Sequence, residues 1–405
     1  MSAGALAGLR VVEIGQGVAA PYCAKLLADL GAAVIKLEPP GTGDVSRRSG
    51  PFPGDVPHPE RSGLFLYLNA NKRGVTLDLT LPQGQRMLRR LLQCADVLID
   101  DNPRQALPPP GLDYADLMQL NPRLVVLAIT PYGLSGPYAG WQGHDVNACA
   151  LGGVSWVIGK PGREPLALPV ALGEYQAGAN AAAAALVAVL ARETTGKGQL
   201  VDVATADVLA SYAAANALIY ICHGLTWSRA GHRASGSGGP YPYTILPCRD
   251  GYVLLIARSS YEWRRFVEAM GDPPWASDPR YRDRRVLGRD YPEEMDALLA
   301  PWLEERTKEE IFAWARQHKI PFAPVRDIAE AIAEPHFAAR QFFVEMDRAE
   351  TGPLRYPGAP YLLSATPWRL RSPAPLLGEH NAAVYGEHLG YGAAELATLR
   401  QDGVI

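Results

Sequence analysis

The 405-residue sequence lacks the marks of several protein classes. Its five cysteines are scattered and form no C-x-x-C pair, and its eight histidines show no metal-ligand spacing, so neither a disulfide framework nor a metal site is predicted. The formal net charge of −3 gives no electrostatic reason to bind nucleic acid or an anionic membrane. No apolar run of about 18 residues and no signal pattern stands out. We therefore expect a soluble, cytoplasmic protein whose partners include neither nucleic acid nor membrane.

The sequence does have a regular alternation of strand-like and helix-like segments. Strands are expected at 9–14, 33–37, 75–79, 96–99, 124–129 and 200–204. Helical patterns at about 20–31, 82–94, 113–120 and 175–192 separate them. Alternation at these lengths favours an α/β fold with a doubly wound parallel sheet.

The composition changes after the last of these strands. A glycine-rich stretch precedes two strand-like runs at 243–247 and 252–256, and helical patterns follow. We predict a large domain over 1–205, a linker over 206–225, a smaller α+β domain over 226–330 and a C-terminal segment over 331–405. From about residue 340 the chain is rich in proline, and we expect mostly loop there, ending in a short helix near 393–400.

One carboxylate, Glu174, opens the alanine-rich helix predicted at 175–192. A carboxylate in a first turn faces the positive end of the helix dipole and free backbone N–H groups. Gly178 follows one turn later and leaves that side of the helix open to another group. The spacing is satisfied by an acid that only stabilises the helix. It is also compatible with a carboxylate held ready as a nucleophile or base.

A histidine and an aspartate follow a Gly/Pro-rich loop that leads out of the predicted sheet, in Gly143-His144-Asp145. Loops at such places often carry functional side chains. Either His144 or Asp145 could share proton transfer with Glu174, or His144 could cap or pack locally.

The turn Gly15-Gln16-Gly17-Val18-Ala19-Ala20 fits G-x-G-x-x-A between a strand and a helix. Glu38 stands about twenty residues further on, where the ribose-binding acid of a dinucleotide site would lie. The pattern indicates either such a site or only a tight turn, and no hydride-transfer constellation accompanies it.

Two further segments could bind anions. The adjacent Lys72 and Arg73 could contact phosphates, although a solvated turn explains them as well. The glycine loop at 235–239, with Gly236, Gly238 and Gly239, could donate backbone N–H groups or close over a site as a lid. It could also be only a flexible connector.

Several segments, in order along nearly the whole chain, resemble the class III CoA-transferase family, which includes formyl-CoA transferase, carnitine CoA-transferase and, as a close relative, alpha-methylacyl-CoA racemase. The resemblance rests on residues 9–21, 27–39, 71–73, 96–99, 121–124, 132–137 and 192–199.

The resemblance implies an interlocked dimer with a Rossmann-like large domain that the C-terminal segment completes. In the family, an aspartate opens the central helix and attacks an acyl-CoA thioester. It then carries CoA as a thioester until an acceptor carboxylic acid replaces it. The matching position here is Glu174. Gly17, Val18 and Ala19 would belong to a CoA-binding turn rather than to an NAD site, with coenzyme A as substrate and succinyl-CoA as the expected donor.

Two departures from the family pattern stand out. Glutamate replaces aspartate at 174, and its extra methylene moves the nucleophile by roughly 1.5 Å, a shift that can cost about 100-fold in rate. Asp101 and Asn102 stand where the family has a carboxylate-Asn-aromatic run near CoA, and the charge of Asp101 would be unfavourable beside an anionic cofactor.

Three interpretations remain open. The chain could be an active homodimer with Glu174 as nucleophile. It could instead be the catalytically silent subunit of a heteromer with an Asp-bearing relative, as in a benzylsuccinate-type CoA-transferase. The third is a 2-methylacyl-CoA racemase or epimerase, in which His144 and Glu174 would exchange a proton with the substrate.

Overall fold

The computed structural model describes residues 4–101, 113–233 and 240–405. The described chain divides into two compact units. The first takes in the residues up to Gly152, Leu168–Tyr212 and Pro335–Ile405, and the second takes in Gly153–Ala167 and Ala213–Glu334. The domain boundaries expected at 205, 225 and 330 stay a proposal beside this division.

The first unit is built on a parallel sheet of six strands. These are β1 (Arg10–Glu13), β2 (Ala33–Glu38), β3 (Arg73–Thr76), β4 (Val97–Asp100), β5 (Val125–Thr130) and β6 (Leu200–Ala204). Their order is β3-β2-β1-β4-β5-β6, with all neighbours parallel. This is the order of a dinucleotide-binding doubly wound sheet, so the predicted α/β fold class is confirmed.

Helices connect these strands and cover both faces of the sheet. They are α1 (Ala19–Asp29), α2 (Gly63–Asn69), α3 (Pro82–Leu92), α4 (Tyr114–Leu120), α5 (Asp145–Leu151), α6 (Leu172–Thr195) and α7 (Thr205–Tyr212). Successive strand residues alternate between the faces: Val11 packs in a core with α1 and α6, whereas Val12 packs in a core with α3. Parallel strands buried in this way explain the nearly continuous apolar runs in the sequence.

Helix α6 runs for 24 residues and packs closely against α1. Ala177, Ala181 and Ala185 are fully buried on its inner side. At Gly178 a Cβ atom would lie 2.5 Å from the carbonyl oxygen of Ala19, so only glycine allows this approach. The helix ends at Gly196, whose φ of +73° continues the chain in the left-handed region.

The second unit is a smaller α+β unit. Its described elements are α8 (Ala214–His223), β7 (Tyr243–Cys248), β8 (Gly251–Ile256), α9 (Ser260–Ala269), α10 (Arg284–Asp290), α11 (Pro292–Glu304), α12 (Lys308–Gln317), β9 (Ala323–Pro324) and α13 (Ile328–Ala333). The three strands form an antiparallel sheet in the order β7-β8-β9. Phe266, Leu299 and Ile311 belong to its buried core.

The C-terminal residues belong to the first unit. They form α14 (Pro335–Ala339), the antiparallel pair β10 (Phe343–Met346) and β11 (Leu354–Pro357), α15 (Asn381–Leu389) and α16 (Ala393–Gln401). Helix α15 joins the sheet at β3, because the Tyr385 hydroxyl donates to the Thr76 carbonyl oxygen over 2.6 Å and the Asn381 side chain accepts from the Thr76 N–H over 2.8 Å.

Within the described ranges, no single helix is long and apolar enough to cross a membrane. Only α7 and α8 together have the length and apolar composition of a membrane span among the described helices, and they are bent by 62° where they meet.

Candidate active site

A cavity of about 610 Å³ opens at the carboxyl edge of the parallel sheet. Gln16 and Gly17, which follow β1, and Asp101, which follows β4, line it. The strand order reverses between β1 and β4. Open α/β sheets bind ligands in the crevice at such a reversal, so this cavity is the candidate active site of the first unit.

Glu174 lines this cavity from the first turn of α6. Its backbone N–H donates to Oδ1 of Asp145 over 2.9 Å. At the preceding Gly173, a Cβ atom would lie 2.6 Å from that same Asp145 oxygen. The glycine therefore makes room for the contact that ties the start of α6 to the start of α5.

Backbone strain precedes Glu174. Val170 and Ala171 both have left-handed φ angles, of +55° and +52°. Left-handed conformations cost about 1–2 kcal/mol each for residues with a Cβ, and a β-branched valine is unusual there. Strain of this kind persists where the surrounding structure holds it, and it is common at functional sites.

His144 and Asp145 also line the cavity, at the start of α5. His144 is exposed and its backbone N–H donates to Oδ1 of Asn147 over 3.0 Å, whereas Asp145 is half-buried. Burial raises the pKa of Glu174, the negative charge of Asp145 raises it further, and His144 acts in the opposite direction. The sequence left open whether His144 or Asp145 accompanies Glu174, and the structure brings all three to one cavity.

The turn after β1 closes around a carboxylate. Asp101 accepts from the N–H of Gln16 over 2.8 Å and from the N–H of Ala20, in the first turn of α1, over 3.3 Å. Burial raises the pKa of Asp101 to about 8. Gly17 and Ala19 line the cavity beside it, whereas Val18 is buried at the N-cap position of α1. Asp101 thus occupies the helix start where a phosphate of a dinucleotide would bind.

A buried ionic cluster supports this turn from below. The Lys36 ammonium lies 2.9 Å from Glu13 and 2.7 Å from Asp44, and all three side chains are fully buried. Asp44 in turn accepts from the N–H of Gly17 over 3.0 Å. The position of Gly17 in the cavity is therefore fixed by charges that water does not screen.

The structure does not bring Lys72 and Arg73 to the cavity. The Lys72 ammonium is buried and donates to Oε2 of Glu13, the carbonyl oxygen of Pro21 and Oδ1 of Asn69. Three partners use all three donors of an ammonium group, so none remains for a phosphate. Arg73 opens β3 and pairs at the surface with Glu387. We therefore no longer expect either residue to contact the phosphates of CoA.

Glu38, the acid expected to bind a ribose in the dinucleotide interpretation, also has its hydrogen bonds within the protein. Its carboxylate is buried and accepts two hydrogen bonds from Arg47, over 2.6 and 2.8 Å. A carboxylate engaged in this way is not available to a ribose hydroxyl. Together with the carboxylate of Asp101 at the start of α1, this pairing argues against the dinucleotide interpretation.

Four of the predicted site residues lie outside the described residues. They are Asn102, Gly236, Gly238 and Gly239.

The cavity also contains polar side chains that the sequence did not single out. Gln16, Thr130, Gln142 and Thr205 line it. The Thr205 hydroxyl donates to the carbonyl oxygen of Thr130 over 3.2 Å. Gln16, Thr130 and Thr205 stand at or just after the carboxyl ends of predicted strands, and that position was the signal that could have identified them.

The chain is similar to known proteins over nearly its whole length. Residues 6–381 match the profile of CoA-transferase family III. The chain is 31% identical to succinyl-CoA–D-citramalate CoA-transferase of Chloroflexus aurantiacus, over 98% of this chain and 97% of that protein. It is 32% identical to succinate–glutarate CoA-transferase of Agrobacterium fabrum, over 94% and 95%. It is 34% identical to subunit BbsE of succinyl-CoA:(R)-benzylsuccinate CoA-transferase of Thauera aromatica, over 98% and 97%.

Solved structures agree with the fold. A CAIB/BAIF family protein from Brucella suis aligns with a TM-score of 0.85 at 30% identity, covering 95% of this chain and 100% of that one. The protein Rv3272 of Mycobacterium tuberculosis aligns with a TM-score of 0.80 at 27% identity, covering 95% and 99%.

Proposed function

The chain belongs to CoA-transferase family III, and we propose that it moves CoA from an acyl-CoA to a small carboxylic acid through an intermediate on Glu174. The observation that carries this proposal is the placement of Glu174 in the cavity at the carboxyl edge of the sheet, next to Asp145. The names of the relatives suggest succinyl-CoA as the donor and an organic acid as the acceptor.

The proposed reaction needs four displacements and no external proton. The Glu174 carboxylate attacks the thioester carbonyl carbon, and the C–S bond breaks to give a mixed anhydride and CoA thiolate. The thiolate attacks the Glu174 carbonyl carbon, which releases the donor carboxylate and leaves CoA as a thioester on Glu174. The acceptor carboxylate then displaces the thiolate, and the thiolate takes the acceptor acyl group from the second anhydride. This is nucleophilic catalysis by a carboxylate.

The environment of Glu174 favours such intermediates. Burial and the charge of Asp145 raise its pKa, which means that both destabilise the ionised carboxylate relative to an uncharged form. The anhydride and the thioester are uncharged at Glu174. The same two causes therefore favour the covalent adduct over the free carboxylate once the released donor carboxylate has left the cavity.

Labelling of the purified chain tests this proposal. The chain is mixed with succinyl-CoA and, separately, with butanoyl-CoA, with and without hydroxylamine, and analysed by intact-protein and peptide mass spectrometry. We expect a CoA adduct, or a hydroxamate after hydroxylamine, on the peptide that contains Glu174. Glu174→Gln has the same shape without a nucleophile, and it should give neither product. A wild-type chain that gives no adduct with either donor would refute an active Glu174.

The assembly of the chain is part of the proposal. We expect either an interlocked homodimer, or a heteromer in which this chain is silent and an Asp-bearing subunit is active. The relatives include proteins named as subunits, among them BbsE and the alpha and beta subunits of succinyl-CoA–L-malate CoA-transferase. The mass of the purified assembly and the effect of adding an Asp-bearing relative distinguish the two. CoA binding without an adduct, with activity restored by that relative, would identify the silent subunit.

A second candidate function is racemisation of a 2-methylacyl-CoA. It is favoured by the presence of His144 and Glu174 in one cavity, where two groups could remove and return the proton at the carbon next to the thioester. Incubation of 2-methylacyl-CoA in D₂O without any acceptor acid tests it. Deuterium incorporation at that carbon would support the racemase, and its absence would exclude it.

A further inference from the structure

The first turn of α6 is held to α5 by two residues that exchange contacts. The N–H of Glu174 donates to Oδ1 of Asp145 over 2.9 Å. In return, the N–H of Asp145 interacts with the Glu174 carboxylate and works against the rise that burial causes in the pKa of Glu174. Each carboxylate thus lies at the start of the other's helix, where free N–H groups stabilise an anion.

An aromatic contact holds the same turn to α1. Tyr175, the residue after Glu174, packs edge-on against Tyr22 of α1, with 4.9 Å between the ring centroids and 78° between the ring planes. This is a favoured geometry for two aromatic rings. Both side chains are half-buried. Burial raises the pKa of Tyr175 to about 12, so its hydroxyl is neutral below that pH and the ring makes the contact.

Tyr22 offers a fixed surface for this contact. Its Cβ atom lies 3.3 Å from the position of a Cβ atom at Gly178, where α1 and α6 approach each other. The Tyr22 hydroxyl interacts with that of Tyr67 in α2, and the Tyr67 ring lies 5.0 Å from the Lys25 ammonium. Lys25 is buried and pairs with Asp29 over 2.7 Å. Movement of Tyr22 would therefore disturb a buried ion pair.

The chain before Glu174 is strained, so the turn needs such restraints. Val170 and Ala171 both have left-handed φ angles, which residues with a Cβ atom keep only where the surrounding structure holds them. A shift of the first turn of α6 would relieve this strain. The contacts that follow, at Glu174 and Tyr175, oppose such a shift.

From this arrangement we infer that Tyr175, packed on Tyr22, is a positioning residue for the Glu174 carboxylate. The inference rests on the proposed function, because it concerns how the same nucleophile is held. Glutamate has one more rotatable side-chain bond than aspartate, so its carboxylate is harder to keep in one place. Displacement of a reacting group by about 1 Å can cost about 100-fold in rate. Loss of the ring contact should therefore slow the attack on the thioester without weakening the binding of CoA.

Two substitutions of Tyr175 test the inference. Tyr175→Phe keeps the ring against Tyr22, whereas Tyr175→Leu replaces it with a smaller apolar side chain. Quenched-flow mass spectrometry with succinyl-CoA or butanoyl-CoA gives the rate of adduct formation on Glu174, and calorimetry gives the dissociation constant of CoA. We expect Tyr175→Leu to lower the rate by about tenfold to 100-fold. Tyr175→Phe should keep the wild-type rate, and both variants should keep the wild-type dissociation constant.

Tyr22 and Tyr291 supply the controls. Tyr22→Leu removes the same contact from α1, so the double variant with Tyr175→Leu should be no slower than the slower single variant. Tyr291 forms another edge-to-face pair, with Tyr281 in the second unit, at 6.2 Å between centroids. Tyr291→Leu should lower the free energy of unfolding and keep the rate of adduct formation. A Tyr175→Leu variant that behaves in the same way would overturn the inference, as would multiplied rate losses in the double variant.

A measurement without turnover separates this inference from the proposed function. If the wild-type chain forms no adduct, the proposed function has failed, but the pKa of Glu174 still reports where its carboxylate lies. Carbon NMR of a chain labelled at the glutamate carboxyl carbon, assigned with Glu174→Gln, measures that pKa. Burial and the charge of Asp145 raise it, so a displaced carboxylate in Tyr175→Leu should titrate closer to the ordinary glutamate pKa. Tyr175→Phe should keep the raised pKa. An unchanged pKa in Tyr175→Leu would contradict the positioning role.

Discussion

Gly173→Ala should disconnect Glu174 from Asp145. The new Cβ atom would lie 2.6 Å from Oδ1 of Asp145, 3.0 Å from Cδ1 of Leu209 and 3.3 Å from Sγ of Cys149. An ordinary contact starts at 3.4 Å, so the Asp145 oxygen must retreat by about 0.8 Å. Its hydrogen bond from the N–H of Glu174, now 2.9 Å long, would then be lost or strongly weakened.

The expected size of this effect follows from two contributions. Overpacking of a filled interior costs about 1–3 kcal/mol. Loss of a hydrogen bond to a charged group costs about 1.5–3 kcal/mol. The two costs overlap in part, because rotation of the Asp145 side chain relieves the overpacking and breaks the hydrogen bond at the same time. We therefore expect the free energy of unfolding to fall by about 2–3 kcal/mol. The rate of adduct formation on Glu174 should fall by about 100-fold, the effect expected of a displacement close to 1 Å.

Urea unfolding and the rate of adduct formation measure the two effects. Gly386→Ala is the matched control, because Gly386 also lies in a helix, α15. The nearest atom to a new Cβ at Gly386 would be the carbonyl oxygen of Tyr391, at 3.8 Å. Alanine is the better helix former by about 1 kcal/mol, so this control should be neutral or stabilising. Gly173→Ala that unfolds at the wild-type urea concentration and forms adduct at the wild-type rate would refute the contact argument.

Three further predictions follow from the same structure. Burial raises the pKa of Glu174, so ionised Glu174 destabilises the folded chain. Glu174→Gln should therefore be more stable than wild type at pH 7–8. In urea unfolding, this gain in free energy of unfolding should shrink as the pH falls towards the ordinary glutamate pKa of about 4.3. Ala171→Gly relieves a left-handed φ of +52°, although glycine also gives the unfolded chain more freedom. Urea unfolding should therefore show a free energy of unfolding about 0.5–1 kcal/mol higher than wild type. A lower value would contradict the inferred strain. Arg47→Met removes the guanidinium that pairs with the buried carboxylate of Glu38 and should lower the free energy of unfolding by about 3–5 kcal/mol. The double variant with Glu38→Gln should recover part of that loss, whereas additive losses would argue against direct pairing.

The fold was predictable because each of its parts leaves a local pattern. All six strands of the parallel sheet fall within a few residues of the apolar runs that predicted them, and α6 contains the whole of the predicted helix at 175–192. Its end at Gly196 is a left-handed C-cap that glycine favours. In the C-terminal segment the sequence predicted mostly loop, with one short helix near 393–400. The structure also forms α15 there, because Asn381 and Tyr385 complete the hydrogen bonding of β3 from more than 300 residues away, and a partner so distant leaves no local pattern.

At the candidate site, too, the sequence predicted the features that are local and missed the contacts between distant residues. A carboxylate at the start of a helix and a loop leading out of a sheet are local features, and they led to Glu174 and His144. The partners of a buried charged residue are often distant in the sequence, as for Lys72 and Glu13. Asp101 was expected to repel a cofactor, yet it satisfies the N–H groups of Gln16 and Ala20.

Lys72 and Arg73 illustrate how a misplaced strand boundary hides a simple geometric rule. Successive side chains along an extended chain point to opposite faces, so two adjacent basic residues at the start of a strand cannot both reach one phosphate. The structure follows this rule: Lys72 turns towards Pro21 of α1, and Arg73 turns towards Glu387 of α15, on the other face of the sheet. The sequence predicted this strand only from residue 75, so it did not apply the alternation to Lys72 and Arg73. It could not say which of the two would be buried, because that depends on Glu13, a carboxylate 59 residues away in the chain.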